Sequence, residues 1–161
     1  MIALPLRYPW IWALSICILA AVLEGLLSGT QVKQRFSQLR LPRPGLPLWA
    51  WSIIGIAYYL LFFALLTWLL GSFPTPGWSP VALGLVALLL AANATWNWVF
   101  FRKRDLGLSL ALFVPYVLAA LALGLVLFRL HSPLFAWYLF YILYLSYATW
   151  WGHGVWRLNR S

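Results

Sequence analysis

Two amides and an indole share one face of a strongly apolar stretch, and polar side chains are rare in such surroundings. The stretch covers residues 93–101 and runs into the basic turn 102–104. If it is helical, the intervals of three, four and seven residues place on one face Asn93, Trp96, Asn97 and Phe100. An amide left unpaired in hydrocarbon costs several kcal/mol, so this face must meet protein, water or a ligand. Ligand contact and an interhelical hydrogen bond are both open readings.

Two further apolar stretches present aromatic faces that would complete such a site. One carries Gly55 among rings, and a glycine there most commonly lets a neighbouring helix come close, with space for a flat ligand as the alternative. The last stretch places small Ala148 among rings in the same way. A ring-lined cleft with a small-residue floor suits a planar, mostly apolar ligand. The candidate ligand-binding residues are Trp49, Trp51, Tyr58, Phe62, Asn93, Trp96, Asn97, Phe100, Tyr141, Tyr144, Ala148 and Trp151.

Composition shows what kind of elements must position these residues. The chain has 161 residues, of which 65% are hydrophobic and 8% charged, whereas soluble domains carry about 25% charged residues. Five segments approach the roughly 20 apolar residues that a spanning helix needs, at about 9–28, 46–70, 80–101, 106–130 and 133–156. The sequence therefore predicts an all-α integral membrane protein, with residues 1–161 forming a single five-helix transmembrane domain.

The basic residues predict an orientation for these helices. Nine of the eleven fall in the first connection, the third connection and the C-terminal end, and only Arg7 and Arg129 fall on the other side. The positive-inside rule then places the N-terminus outside and the C-terminus in the cytoplasm. Because topology accounts for the net charge of +9, nucleic-acid binding is not expected.

Prolines predict how the helices are joined and where one bends. Three prolines within residues 42–47 exclude a regular helix there, so the first connection is expected to be an extended strap across the bundle end, or else an ordinary long loop. Pro115 should kink the fourth helix and free a carbonyl for a neighbouring Asn or Tyr. The short turn at 73–78 should place Trp78 at the membrane interface.

Few groups in the chain are suited to acid–base or metal chemistry. Glu24 and Asp105 are the only acidic residues, the lone Cys17 reads as a packing residue, and the two histidines lie far apart. Metal catalysis and paired-carboxylate hydrolysis are therefore not expected, and we assign no catalytic or metal-binding residue. Glu24 lies within a predicted span, which makes it a functional candidate, but pairing with Lys33, Arg35 or Arg104 is the favoured reading.

Residues 93–107 resemble the translocator protein group of tryptophan-rich membrane proteins, the TspO or peripheral benzodiazepine receptor family. The matched residues are Asn93, Trp96, Phe100, Phe101, Arg104 and Gly107. The resemblance extends to Tyr141, Ala148 and residues 155–159, and to the proline-containing strap at 39–49. It implies a five-helix bundle, commonly dimeric, with a pocket under the first loop that takes porphyrins, sterols or synthetic aromatic ligands.

The chain also departs from that family's pattern. Gly55 and Tyr144 stand where the family has tryptophans that are linked to porphyrin photodegradation in some bacterial members. The other departures are Leu112 near the position of an acidic residue, Phe140 for a proline, Gly152 for an asparagine and His153 for the tyrosine of a sterol motif. We therefore expect binding, and leave photodegradation open, with Trp51, Trp150 or Trp151 as substitutes for the missing indoles.

The sequence thus predicts a TspO-like protein that binds a planar hydrophobic ligand within the bundle and acts as a sensor, carrier or scavenger. The expected ligand is a porphyrin or haem-type tetrapyrrole, with a sterol or isoprenoid as other options, and no cofactor is required. Membrane lipids and a second copy of the chain are the expected partners, in a bacterial cell membrane that the chain crosses several times. The alternative is a structural or assembly protein with no ligand of its own. A membrane enzyme acting on an isoprenoid or lipid is disfavoured because the chain has two carboxylates.

Overall fold

The computed structural model describes residues 7–72 and 79–160, and in these residues every regular element is a helix. The helices are α1 (Pro9–Ser28), α2 (Val32–Gln38), α3 (Leu48–Gly71), α4 (Ser79–Asn97), α5 (Leu106–Ala111), α6 (Phe113–Arg129) and α7 (Phe135–Asn159). A π-helical segment, Trp98–Lys103, continues α4. The predicted turn with Trp78 lies outside the described residues, so its place at the interface stays a prediction.

Four helical stretches are long and apolar enough to cross a membrane. They are Pro9–Ser28, Leu48–Gly71, Ser79–Lys103 and Leu106–Arg129. This result supports the all-helical, multi-pass architecture. The remaining long helix, α7, has 25 residues and is rich in tyrosine and tryptophan, and it is not one of the four. The fifth span and the orientation therefore remain predictions.

The predicted bend near Pro115 appears as a break between α5 and α6. The break lies at Leu112, which ends one helix and precedes the next, because a proline ring clashes with the carbonyl four residues earlier. In the turn before the break, the Ser109 carbonyl accepts the indole N–H of Trp96 at 3.0 Å. The carbonyl that Pro115 itself frees is that of Ala111, four residues earlier, so the expectation of an asparagine or tyrosine donor there stays a prediction.

The first connection is part helix and part strap. The prediction of an extended connection throughout was wrong for residues 32–38, which form the short helix α2. Residues 39–47 are non-helical, as their prolines require, and they lie against the end of α7. There the Asn159 side chain accepts from the Arg40 backbone N–H at 3.0 Å and donates to its carbonyl at 2.9 Å. Pro42 packs so closely on Gly154 that a Cβ at position 154 would lie 2.8 Å from it.

Hydrogen bonds gather the predicted cytoplasmic segments at one end of the bundle. Arg104, which follows the π-helical segment, donates to the Gln31 side chain at 2.7 Å, next to the end of α1. The Asn159 bonds bring the end of α7 to the same place. At the opposite end of these helices, Pro9 lies beside Gly71, where a Cβ would be 3.5 Å from it. The connections that carry most of the basic residues therefore share one end of the molecule.

Candidate functional site

A cavity of about 160 Å³ lies among α1, α3, α4, α6 and α7, beneath α2. Ten of the twelve candidate residues line it, namely Trp51, Tyr58, Asn93, Trp96, Asn97, Phe100, Tyr141, Tyr144, Ala148 and Trp151. The three aromatic faces read from the sequence therefore meet around one space. That these residues bind a ligand remains a prediction.

Two candidate residues do not line this cavity. Trp49 stands at the start of α3 with 66% of its surface exposed, because it lies about 200° around the helix from Trp51. Phe62 is fully buried one turn beyond Tyr58, where its ring lies 4.4 Å from the Tyr58 ring and belongs to the packed core. Helical spacing identified the face that carries Phe62, but spacing says nothing about how deep along that face the cavity extends.

Gly55 opens space in the cavity. A Cβ placed on this residue meets no atom within 4 Å, so no neighbouring helix approaches it closely. The favoured reading of this glycine, close helix packing, is therefore wrong, and the alternative of free space among rings is correct. A side chain at this position would project into the cavity.

The walls of the cavity are stacked and tilted rings contributed by α2, α3, α4 with its π-helical continuation, α6 and α7. The indoles of Trp51 and Trp151 lie 4.7 Å apart between centroids, and Phe36 stacks on Trp151 at 6.4 Å with 13° between the ring planes. On the α4 side, Trp96 stacks on Phe100 at 4.8 Å and 15°. Phe36 comes from α2 and lines the cavity on the side of the first connection. Sequence reasoning missed it because a seven-residue helix inside a long connection shows no extended apolar period.

Two indole N–H groups in the cavity lining are buried and have no hydrogen-bond partner in the described part of the chain. They belong to Trp51 and Trp151. The Tyr147 hydroxyl, close to Trp51, is also buried without a partner among the described residues. Trp151 is only 3% exposed, so water reaches little of it. A buried donor without an acceptor costs about 1–3 kcal/mol. These donors would be satisfied by a ligand that brings an acceptor.

Glu24 also lines the cavity, and it does not pair with the basic residues we favoured. Its Oε2 accepts from the Tyr59 hydroxyl and from the Asn93 amide, both at 2.7 Å. Arg104 donates to Gln31, and Arg35 donates to the Arg104 carbonyl. The preferred pairing was wrong because Glu24 faces α3 and α4, where the half-buried side chains of Tyr59 and Asn93 donate to its Oε2.

The two amides of α4 face the cavity, and one of them also joins two helices. Asn93 bonds to Glu24 of α1, which is the interhelical hydrogen bond left open by the sequence. The Asn97 amide donates to the Asn93 carbonyl at 3.1 Å. Beyond Asn97 the helix widens into its π-helical segment, and such turns are frequent at functional sites. Here the segment carries Phe100 and Phe101, which both line the cavity.

The lining offers hydrogen bonding and ring contact, and no metal chemistry is apparent in it. Across residues 7–72 and 79–160 no cluster of three or more His, Cys, Asp or Glu could hold a metal ion. Cys17 is buried, with its Sγ 3.9 Å from the Tyr59 carbonyl, which fits the packing role expected for it.

Comparison with known proteins identifies the family of the chain. The sequence profile of the TspO/MBR family matches residues 13–157 of the 161-residue chain. The chain belongs to the TspO/MBR family. As a member of this family with several apolar helices, it is a multi-pass integral membrane protein. A search of curated proteins gave no significant match.

The structure explains how this TspO/MBR protein accommodates its departures from the family pattern. At Gly152 the space for a side chain is filled by Phe113, since a Cβ there would lie 2.7 Å from its ring. One turn before Gly55, Trp51 places its indole 6.3 Å from the Tyr144 ring. Of the possible substitutes for the missing indoles, Trp51 and Trp151 line the cavity, whereas Trp150 is 46% exposed and does not.

Proposed function

We propose that this TspO/MBR protein binds a planar, mostly apolar ligand of the tetrapyrrole type in the cavity, and acts as a sensor, carrier or scavenger of it. The observation that carries the proposal is the pair of buried, unpartnered indole N–H groups, on Trp51 and Trp151, beside the free space at Gly55. A cavity serving only helix packing would be filled at the glycine, and its donors would be paired.

The ring geometry favours a flat ligand. Aromatic rings bind other π systems in offset-stacked or edge-to-face arrangements, and the Trp51, Trp151 and Tyr144 rings already meet each other in tilted and edge contacts. A macrocycle lying in the space at Gly55 would contact these rings by its faces and edges. Gly55 and Ala148 contribute the small surfaces that leave room for it.

The polar groups favour a ligand that carries acceptors at its edge. A tetrapyrrole with carboxylate side chains supplies acceptors for the Trp51 and Trp151 N–H groups. A sterol offers a single hydroxyl and an isoprenoid chain offers fewer polar atoms, so neither satisfies all of these groups. The tetrapyrrole is therefore the ligand class that the lining supports best.

The size of the cavity indicates that entry requires movement. Ligand sites commonly occupy about 300–1,000 Å³, and this cavity has a volume of about 160 Å³. Phe36 closes it, and α2 continues into the strap that Asn159 holds. We infer that α2 and the strap shift outward when a ligand as large as a tetrapyrrole enters.

We further propose that α7 is a fifth span, with the N-terminus outside and the C-terminus in the cytoplasm of a bacterial cell. Its 25 residues extend about 37 Å, more than the roughly 30 Å hydrocarbon core. Two of its tyrosine hydroxyls bond inside the bundle, with Tyr138 donating to the Ala120 carbonyl at 2.9 Å and Tyr141 bonded to Tyr116 at 2.6 Å. Basic residues at the end shared by the strap and the end of α7 support the orientation. The resemblance supports a homodimer.

The test is a titration of the purified protein with protoporphyrin IX, followed by tryptophan quenching and the Soret band. The variant Gly55→Leu fills the free space without removing any contact, and Gly84→Leu is its matched control, since Gly84 also has nothing within 4 Å of a Cβ but does not line the cavity. Saturable binding that Gly55→Leu weakens by about tenfold or more, and Gly84→Leu leaves unchanged, supports the proposal. Equal effects of the two variants would refute it.

The same titration separates the proposal from its rival. Absence of saturable binding by the wild-type protein, together with a stoichiometric protein partner in native membranes, would point to a structural or assembly role. Substitution of Asn93 or Trp96 is a poorer probe, because both side chains bond within the bundle and their loss would disturb folding. Absorbance of the complex under illumination then tests photodegradation, for which Trp51 and Trp151 are the indoles in place.

A further inference from the structure

A second recess lies on the surface at the end of the bundle, and we call it the basic groove. It has a volume of about 520 Å³ and runs between α2, the turn after the π-helical segment and the end of α7. Four of its lining residues are cationic, Arg35, Lys103, Arg104 and Arg160, and one is acidic, Asp105. No residue lines both this groove and the cavity.

The chain does not neutralise these four cations. Asp105 uses its Oδ1 to accept the Leu108 backbone N–H at 2.8 Å, where it caps α5. Arg104 bonds to the neutral Gln31 side chain, and Arg160 lies over the Trp156 ring at 4.9 Å. Within the part of the chain that the structure describes, none of the four makes an ion pair with a carboxylate. The groove therefore keeps an excess of positive charge.

Arg35 and Arg104 line this groove together, and the Arg35 guanidinium lies against the Arg104 backbone. Arg35 donates through Nη2 to the Arg104 carbonyl at 3.5 Å, and its Nε is buried with no partner among the described residues. Burial, followed by the nearby charge of Arg104, lowers the pKa of the Arg35 guanidinium. Like charges repel, and a buried charged donor without an acceptor is costly. An anion bound between the two side chains would relieve both effects.

We propose that the basic groove binds a phosphate group, carried either by an anionic lipid headgroup or by a small phosphate-bearing solute. Arginine presents a planar fork of donors that matches phosphate oxygens, and a second arginine with a lysine adds the charge that an anion at a membrane surface requires. The site is distinct from the cavity because a buried cluster separates them, with Phe36 and Trp151 facing the cavity and Leu39 facing the groove.

Basic loops are attracted to a membrane in general, and this attraction predicts a different effect of substitutions than a specific phosphate site does. Such attraction depends on charge and not on position, so every exposed basic residue at this end contributes similarly. Arg102 and Arg157 are exposed and lie outside the groove, whereas Arg35 and Arg104 line it. Removing two charges from each set leaves the same net charge and distinguishes the two explanations.

The experiment compares the wild-type protein with Arg35→Gln/Arg104→Gln and with its matched control Arg102→Gln/Arg157→Gln. Native mass spectrometry in neutral detergent measures retention of phosphatidylglycerol against phosphatidylcholine, and calorimetry measures binding of inorganic phosphate and of pyrophosphate. We expect a saturable phosphate ligand whose affinity falls roughly tenfold or more in the groove variant and stays within about twofold in the control. Helix content by circular dichroism reports whether each variant is folded.

The two arms identify the source of the phosphate. Selective retention of phosphatidylglycerol without binding of the free anions assigns a lipid headgroup, and saturable binding of phosphate or pyrophosphate assigns a solute. Should Arg35→Gln/Arg104→Gln fail to fold, Arg35→Lys keeps the charge but loses the fork, and it should weaken binding several-fold. Equal losses in the groove variant and in the control, or no phosphate binding in either arm, would overturn the proposal.

Discussion

The cavity and the basic groove lie on two sides of one buried cluster, yet they differ in whether their charged groups are paired. In the cavity the only charge, Glu24, is bonded by Tyr59 and Asn93, and the unpaired groups are neutral indole donors. In the groove four cations stand together without an ion pair among the described residues. The cavity therefore selects by shape and a few directed hydrogen bonds, whereas the groove selects by charge.

This contrast follows from where each site lies relative to the membrane. An unpaired charge inside the hydrocarbon region is expensive, so a carboxylate there needs hydrogen-bond donors such as Tyr59 and Asn93. At the end of the bundle water and headgroups solvate cations, so several can stand together. Loss of the bonds in the cavity should therefore lower the stability of the fold. The exposed charges of the groove should instead make its ligand affinity depend on salt.

Loss of the Glu24 carboxylate should have the largest effect on the cavity. Glu24→Ala leaves the Tyr59 hydroxyl and the Asn93 amide without their acceptor, so we expect a destabilisation of about 2–4 kcal/mol. Thermal unfolding in detergent measures it. Glu24→Gln retains an acceptor oxygen and should lose much less. An unchanged melting temperature for Glu24→Ala would show that these bonds do not hold α1 to α3 and α4.

Removing one unpaired indole donor should weaken ligand binding. Trp151→Phe keeps an aromatic ring but removes part of the buried indole, including an N–H that has no partner in the described residues, so protoporphyrin IX affinity should fall about fivefold. Trp96→Phe makes the same change of ring and also breaks the bond from its N–H to the Ser109 carbonyl, so it should lower the melting temperature more than Trp151→Phe does. The account fails here if Trp151→Phe binds the ligand as tightly as the wild type.

Freeing the strap should change the rate of entry more than the affinity. Asn159→Ala removes both side-chain bonds to Arg40, each worth about 0.5–1.5 kcal/mol, so the closure above the cavity opens more readily. Stopped-flow quenching should show protoporphyrin IX associating a few-fold faster. An unchanged association rate would mean that the ligand enters from another side, for example between helices from the lipid.

The smallest expected effect is that of salt on ligand affinity, and it should differ between the two sites. Screening shortens the reach of charge at an exposed site from about 30 Å at 0.01 M to about 8 Å at 0.15 M ionic strength. Phosphate binding at the groove should therefore weaken a few-fold over that range, while protoporphyrin IX binding in the cavity changes little. Parallel titrations at the two ionic strengths measure both. A salt dependence that is the same for the two ligands would remove the distinction between the sites.

Helical periodicity was enough to predict most of the cavity, because residues on one face stay together once the helix forms. It assembled the Asn93 face of α4 and the Tyr141 face of α7, and ten of twelve candidates line the same space. Periodicity did not predict how far the space extends, and so it included Phe62, whereas Trp49 lies about 200° around α3 from Trp51 and is off that face altogether. Neither Phe36 nor the partners of Glu24 could be read from the sequence, since both depend on how separate elements pack.

The basic groove could not be predicted from the sequence. The nine basic residues at the predicted cytoplasmic end were read as one topological signal. Only folding divides them into those that line the groove, such as Arg35 and Arg104, and those that stay outside it, such as Arg102. These arginines are far apart in sequence, and the bond from Arg35 to the Arg104 carbonyl spans 69 residues.

The most direct measurement of the central claim is a crystal structure of the protein with protoporphyrin IX bound. We predict that the macrocycle lies between α3 and α7 beside Gly55, with a ligand acceptor on the Trp51 or Trp151 indole N–H and with α2 displaced outward. A ligand on the lipid-facing surface, with the cavity closed and both indole donors still unpartnered, would contradict the account.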